Sequence, residues 1–518
     1  MKTTIKTLAL LCALAGANAQ ALELAGGGRL ELGKKALVLF DAAGRERATL
    51  PIRAQQLDAR AVNGAGLALV RDAAIQHARL IRFDATRGTL EPLAVLPVQS
   101  FGVESLCLFR DQQGLDQIFV AGKDGQAEQW VMHGATPRLL RKLSFPLDAA
   151  QCKVDDAAHT LYVDEAQVGT WAYEANSEAA PARKLLKGRT RALARAANPA
   201  VVVQARAQTE PVAKLGDVAD DPAIWVHPGD ATQSRVLGTN KKQGLMVYDL
   251  QGKQLQMLEV GRLNNVDLRQ GVQWDGKYYD LAVASQRDDN TVVLFGIDGS
   301  GTVAELTRFP TSFKEIYGIC LYQPRSGGLE VIVNDKSGAF EQYRIGRVDG
   351  QWNSVPGRQF KVASQPEGCV ADDRTGRLFL GEEKRGVWTM AAGSNQPASM
   401  KLVLGVGRDL RADVEGMAIY HGERANYLIV SSQGDSSYVV LDAAAPYKVR
   451  GRFKVGFNLD AGIDGAADTD GLDVTEKNLG GAFGQGMLVI QDGYKRLPDG
   501  PQNFKYVGWE DVAKALGL

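Results

Sequence analysis

Residues 101–130 and 316–343 are faded copies of one another. The first reads FGVESLCLFRDQQGLDQIFVAGKDGQAEQW and the second IYGICLYQPRSGGLEVIVNDKSGAFEQY. Cys107 matches Cys320, Lys123 matches Lys336, and Glu128-Gln129 matches Glu341-Gln342. Farther on, CKVDDAAHTLYVDEAQVGTW (152–171) matches CVADDRTGRLFLGEEKRGVW (369–388). Farther back, LVLFDAAG (37–44) matches LMVYDLQG (245–252). The offset stays within roughly 207–217 residues, so one block has been duplicated with small insertions. The copies are unequal. The second runs from about 206 to the end, and the first covers only the part equivalent to about 235–390.

Whatever the block folds into, it is made of strands. RVLGTN, GLMVYDL, YDLAVASQ, TVVLFGI, LEVIVND, RLFLGEE, YLIVSSQG, SYVVLD and GMLVIQDG are short and β-branched or aromatic. Most are bounded by Gly, Asp or Asn turns. WEDVAKALGL at the end is the one strong amphipathic helix. Related segments return every 45–55 residues or so, the length of a four-stranded propeller blade. An all-β chain is expected: a six-bladed β-propeller over 206–518, preceded by an incomplete domain of about four blades over 20–174. A β-sandwich is the structural alternative. Residues 175–205, rich in Ala, Arg and Lys with Pro181 and Pro199, read as a solvated linker or a short helix.

Lys2 and Lys6, the apolar run 8–17 and Ala17-Asn18-Ala19 make residues 1–19 an expected signal peptide. The run is too short to span a bilayer. A secreted protein without a membrane span is therefore expected, periplasmic or extracellular. In an oxidising compartment, the pairs Cys107/Cys152 and Cys320/Cys369, each kept within one copy, read as two disulfides. Four buried free thiols are the alternative. The chain has 60 Lys+Arg against 60 Asp+Glu, which argues against a protein built to coat nucleic acid. A monomer is the default expectation, since the sequence has no obvious dimerisation helix.

The chemistry has no nucleophile to rest on. G-x-S-x-G, C-x5-R, a Walker loop and H-E-x-x-H are all missing, and the 5 histidines are scattered. What stands out is carboxylates in loops between strands: Asp220-Asp221, Glu367, Glu382-Glu383, Asp413, Glu415, and Asp460, Asp464, Asp468, Asp470 and Asp473. Clustered acids repel, and a hard cation such as calcium relieves the repulsion through flexible oxygen coordination. Taken singly, each is more readily a turn or capping residue. Lys241, Lys242, Arg287 and Lys336 hold similar strand-end positions, with Tyr317 near them in pattern. Propeller strand ends converge on one face, so these cations and acids can share a site for a polyanion, phosphate above all.

DDPAIWVHP (220–228), TNKKQGLMVYDLQGK (239–253), GRLNNVDLR (261–269), SQPEGCVADD (364–373), ADVEGM (412–417), SSQGDSSY (431–438), DGAADTDGLDV (464–474) and QNFKYVGWE (502–510) together resemble the β-propeller phytases. The resemblance covers roughly 206–518, in order. It implies a six-bladed propeller that hydrolyses phytate, inositol hexakisphosphate, with several calcium ions. The substrate would arrive as its calcium complex at a cleavage site with an adjacent phosphate site. It implies that Asp221, Glu367, Glu383, Asp413, Glu415 and Gln433 are calcium ligands with Asp220 as partner, and that Asp464 and Asp470 belong to a calcium loop. It implies that Lys241, Lys242, Arg287, Tyr317 and Lys336 bind substrate phosphates, and that all of these but Lys242 assist catalysis. A calcium-activated water would attack phosphorus in line, with Glu383 orienting it. After Gln491 the match loosens, because Asp492-Gly493-Tyr494-Lys495 is short of the family's loop.

The first copy lacks these groups. Glu367 corresponds to Ala150, Glu383 to Ala166 and Tyr317 to Glu104, while Lys336 keeps Lys123 and Lys241-Lys242 align with Lys34-Lys35. No DDPAIW segment is present, and the copy stops before counterparts of Asp413, Glu415, Gln433 and Asp464. Such incomplete N-terminal domains occur in tandem members of the family, so this one is expected to be catalytically silent alone. Two other readings of the second copy were weighed: a non-catalytic propeller binding a phosphorylated or anionic ligand, and a calcium propeller enzyme of another kind, such as a lactonase. The intact acid and base set argues against the first, and the number of cations against the second.

Overall fold

The computed structural model describes residues 20–518 except 25–26, 74, 76, 98–101, 123, 148, 150, 166–167, 180–181, 187–199 and 215. The expected signal peptide, residues 180–181 and 187–199 of the expected linker, and Lys123, Ala150 and Ala166 lie outside the described residues. The chain divides into two compact units: residues 1–176 with 181–193, and 177–180 with 194–518.

In the second unit six sheets follow one another along the chain, over 219–258, 263–310, 316–361, 366–405, 414–456 and 472–508. Each is an antiparallel meander whose strands pair in sequence order, so short turns suffice to connect them. The first strand of each sheet lies against the first strand of the next, and the strand Leu472–Thr475 returns to Ala219–Trp225. The apolar side chains follow the same circuit. Val247, Leu263 and Phe295 fill the space between the first and second sheets, and Ile224, Met246, Met487 and Phe504 fill it between the sixth and the first. Among the described residues, six such layers serve six sheets, so every sheet is covered on both faces. This is a six-bladed β-propeller.

Closure uses both ends of the unit. The sixth sheet takes its outer strand, Ala207–Gln208, from the N-terminal side, paired antiparallel with Asn503–Gly508. Val201–Gln204 adds a parallel fifth strand beside Val449–Gly456. Residues read from sequence as linker are thus partly strand, because propeller edges need partners. The C-terminal helix, Trp509–Leu516, is held by Arg206, which donates to Asp511 in its first turn at 2.8 Å.

The first unit has four four-stranded sheets, over 20–51, 54–95, 105–144 and 152–186. The strand Arg183–Leu186, placed in the linker by sequence, completes the last. Among the described residues three apolar layers serve these four sheets.

The duplication is kept atom for atom in one network. Arg60 donates to Asp156 at 2.6 Å, Asp58 at 2.8 Å and the Leu108 carbonyl at 2.6 Å, and Asp58 accepts the Leu108 N–H. Arg269 does the same with Asp373 at 2.6 Å, Asp267 at 2.9 Å and the Leu321 carbonyl at 2.7 Å, and Asp267 accepts the Leu321 N–H. Both disulfides are present, Cys107–Cys152 and Cys320–Cys369. Each ties the first strands of the third and fourth sheets of its unit.

Candidate active site

The innermost strands of the second unit carry the site, through one repeated irregularity. In five of its six sheets the pairing of the first and second strands slips by a residue pair near the strand start. The slips fall between Ala219 and Pro222, Leu263 and Val266, Ile316 and Ile319, Pro366 and Cys369, and Val414 and Met417. The residues freed from the ladder are Asp220-Asp221, Asn264-Asn265, Tyr317-Gly318, Glu367-Gly368 and Glu415-Gly416. A bulge leaves residues unpaired and re-aims their side chains. Each of these five blades therefore turns its own polar group out of the ladder.

Glycine follows Tyr317, Glu367, Glu415 and Asp470 for a steric reason. A Cβ on Gly318 would lie 1.9 Å from the Glu367 carbonyl oxygen, and one on Gly471 would lie 2.0 Å from Asp221 Oδ1. Adjacent strands meet too closely there for any side chain.

The cavity so formed has a volume of about 570 Å³, and Lys241, Tyr317, Glu367, Glu383, Asp413, Glu415, Gln433 and Asp470 all line it. Ligand oxygens of Glu367, Glu383 and Glu415 lie within 4.8 Å of one another. Glu415 is buried, and its Oε2 has no hydrogen-bond partner. Burial, then Glu367, push its carboxyl well above the usual range. Burial, and again Glu367, raise Glu383 to about 7, while Gln365 donates to its Oε1 at 2.6 Å. Three acids crowded without a cation are costly unless one is protonated or a metal sits among them. Their hard oxygen donors and the orphaned Oε2 fit a divalent cation of the calcium type.

Asp220 and Asp221 lie beneath, both buried. Neither oxygen of Asp220 has a hydrogen-bond partner, and Lys241 Nζ stands 3.5 Å away. Lys241 also reaches Asp470 at 2.7 Å and Asp217 at 2.8 Å. Burial alone would lower the lysine's pKa, but Asp220, Asp470 and Asp217 hold it well above its usual value. Burial raises Asp221, whose Oδ2 accepts the Val266 N–H at 3.0 Å. Gln433 donates to Asp470 Oδ1 at 2.7 Å, and Lys384 pairs with Asp413.

Tyr317 organises the cationic side. Lys336 Nζ sits 4.5 Å and the Arg287 guanidinium 5.8 Å from the centre of its ring. Both use the negative face of the phenol as a platform. Burial, then Glu367 and Glu415, push the Tyr317 hydroxyl far above its usual range, so it remains a donor. Lys242 borders the rim, where a Cβ on Gly216 would come within 3.3 Å of its Nζ.

Asp464 stands apart from the other expected metal residues. It is fully buried and paired with Lys505 at 2.7 Å, and Lys505 also holds Asp492 at 3.0 Å. The Arg496 backbone N–H donates to Asp464 as well. Lys505 thus sits on the carboxylate that the resemblance places in a calcium loop, as Lys241 sits on Asp470, and Asp464 also fastens the loop after Gln491. That loop brings Tyr494, Lys495 and Arg496 to the cavity wall. Sequence reading missed these three, as it missed Asp217, Gln365 and Asn264. For Gln365 and Asn264 the signal was present, since both stand inside the segments SQPEGCVADD and GRLNNVDLR.

In the first unit Glu104, at the place of Tyr317, pairs with Arg71 at 2.9 Å. Lys34 and Lys35 are exposed.

With this geometry in place, the comparisons are decisive. The sequence model of the phytase family matches residues 185–518. The chain belongs to the phytase family. It is 41% identical over 333 residues to the 3-phytase of Bacillus subtilis (strain 168), covering 61% of this chain and 85% of that protein. The phytase match coincides with the second unit, where the acids and cations converge. As a family member the chain is an enzyme of the 3-phytase kind, a phosphoric monoester hydrolase. The crystal structure of Saccharomyces cerevisiae Sqt1 is similar at 13% identity and a TM-score of 0.30, over 71% of this chain and 90% of that one, a likeness too slight to bear on this phytase.

Proposed function

We propose that the second unit hydrolyses phytate in a calcium-dependent reaction, in the cavity ringed by Glu367, Glu383 and Glu415. The observation that carries the reading is this triad of acids within 4.8 Å, one oxygen of it unpartnered, facing a set of cations gathered on Tyr317. Glu367, Glu383, Glu415, Asp413, Gln433, Asp470, Asp220 and Asp221 would hold calcium ions. When bound, calcium supplies charge screening for substrate phosphates and acidifies a water.

The chain's own residues do the rest. Lys241, Lys242, Arg287 and Lys336 bind phosphate oxygens and stabilise the charge that develops on them during transfer. The protonated Tyr317 hydroxyl donates to the same group. Glu383 orients the attacking water and takes its proton at an Oε atom. No side-chain nucleophile is required. The first unit acts as a catalytically silent accessory, and the protein works outside the cytoplasm as a monomer. No helix among the described residues is long and apolar enough to cross a membrane.

The test is phosphate release by the purified full-length protein from phytate, an aryl phosphate and a lactone, with calcium and with chelator. Release from phytate that chelation abolishes and calcium restores is expected. Release indifferent to chelation would overturn the calcium reading, and hydrolysis of the lactone alone would overturn the substrate.

A further inference from the structure

Asn264 carries no charge and no reactive atom, yet it occupies the bulge of the second sheet. That is the place at which other blades present Asp220, Tyr317, Glu367 and Glu415. It is fully buried. Its contacts explain its position. Nδ2 donates to Glu367 Oε1 at 2.8 Å and to Asn265 Oδ1 at 2.8 Å. Oδ1 accepts from Arg287 Nη1 at 3.2 Å. One amide thus spans an acid of the metal group and a cation of the phosphate group.

An amide suits both neighbours. It offers a donor and an acceptor on one rigid plane. A carboxylate there would face Glu367 with like charge, and a lysine or arginine would face Arg287 with like charge. An apolar side chain would leave the buried Glu367 carboxylate and the half-buried Arg287 guanidinium each one partner short. The adjoining residues fasten the same region. Ser285 Oγ accepts the Asn265 N–H at 3.2 Å and donates to the Tyr317 carbonyl oxygen. The Arg287 guanidinium is therefore held between Asn264 Oδ1 and the Tyr317 ring.

We propose that Asn264 is a positioning residue that couples the Glu367 carboxylate to the Arg287 guanidinium, so that one side chain sets both metal loading and phosphate capture. The proposal rests on the reading given above, that calcium and phytate meet in this cavity. Asn264 itself need touch neither.

The experiment uses the full-length protein with Asn264→Ala, Arg287→Ala, the double variant, and Asn264→Asp. Calcium binding is measured by calorimetry without substrate, phytate hydrolysis by steady-state kinetics, and folding by thermal unfolding. Asn264→Ala is expected to weaken calcium binding and to raise the KM for phytate, each by about tenfold, the worth of one hydrogen bond to a charged group. In the Arg287→Ala background the same change should leave KM where it is and still weaken calcium binding. Asn264→Asp keeps the acceptor for Arg287 and loses the donor for Glu367. Its KM at saturating calcium should stay within about twofold while calcium binding weakens about tenfold, a split that general destabilisation would not produce. This isosteric variant carries the test if the alanine variant does not fold. A folded Asn264→Ala with both constants unchanged, or a KM effect that adds fully to that of Arg287→Ala, overturns the proposal alone. A wild-type protein that binds no calcium overturns the reading beneath it.

Discussion

Lys241 Nζ lies 2.7 Å from Asp470 Oδ2. The same ammonium stands 3.5 Å from Asp220, so one lysine serves two carboxylates proposed to hold calcium. On that proposal lysine and calcium would compete for these oxygens, and a divalent ion that took them would free the lysine for a substrate phosphate. Lys241→Met should lower the melting temperature in chelator, because it leaves buried acids unpaired. It should also enlarge the rise in melting temperature on adding calcium, and raise the KM for phytate about tenfold. Thermal unfolding with and without calcium checks the first two. A smaller calcium response than in the wild type would refute the competition.

The triad of acids makes a kinetic prediction. Glu383→Gln keeps the shape and the Gln365 neighbour but removes the proton acceptor. It should lower kcat about a hundredfold or more, the usual worth of a general base. Glu415→Gln should instead act chiefly on the calcium requirement, since Glu415 lies among the acids and is the one with the unpartnered oxygen. Titrating activity against free calcium separates the two variants.

Acidity should govern the stability of the metal-free protein. Glu383 and Asp473 are both raised to about 7, chiefly by desolvation. A carboxyl raised in the fold keeps its proton where the unfolded chain has lost it. Its stabilising contribution is present in full below the unfolded pKa and is lost as pH rises through the folded value. In chelator the melting temperature should therefore fall between about pH 4 and pH 7 and then level. Calcium should restore most of the loss attributable to Glu383 and none of that due to Asp473. A metal-free protein whose stability rises across this window would contradict the assignment.

The glycine rule of the inner ring is open to a direct check. Gly471→Ala places a Cβ 2.0 Å from Asp221 Oδ1, which forces strands apart or Asp221 out of place. A loss of about 1–3 kcal/mol in unfolding free energy is expected, with activity falling further than stability. Gly276→Ala, where a Cβ meets no atom within 4 Å at φ 71°, is the comparison for backbone strain without overlap.

Much of this protein was legible from residue order. The strand segments, the duplicated block, both disulfides and the C-terminal helix depend on local pattern and on copies that can be aligned. Glu367, Glu383, Asp413 and Glu415 stood out as carboxylates in loops between strands, and Lys241 as a cation at a strand end. What order could not convey was partnership. Asp464 and Asp470 stand six residues apart in one acidic stretch, yet the first turns to Lys505 and the second to Lys241. Asn264 is an ordinary residue in sequence and becomes a bridge only when the first strands of the second and fourth sheets lie close. Sequence by itself determined the repeating strand unit and the supply of charged groups, because both follow from local chemistry. The ring closure decided which charges meet, because a cavity built from the starts of several strands exists only once residues hundreds of positions apart share one axis.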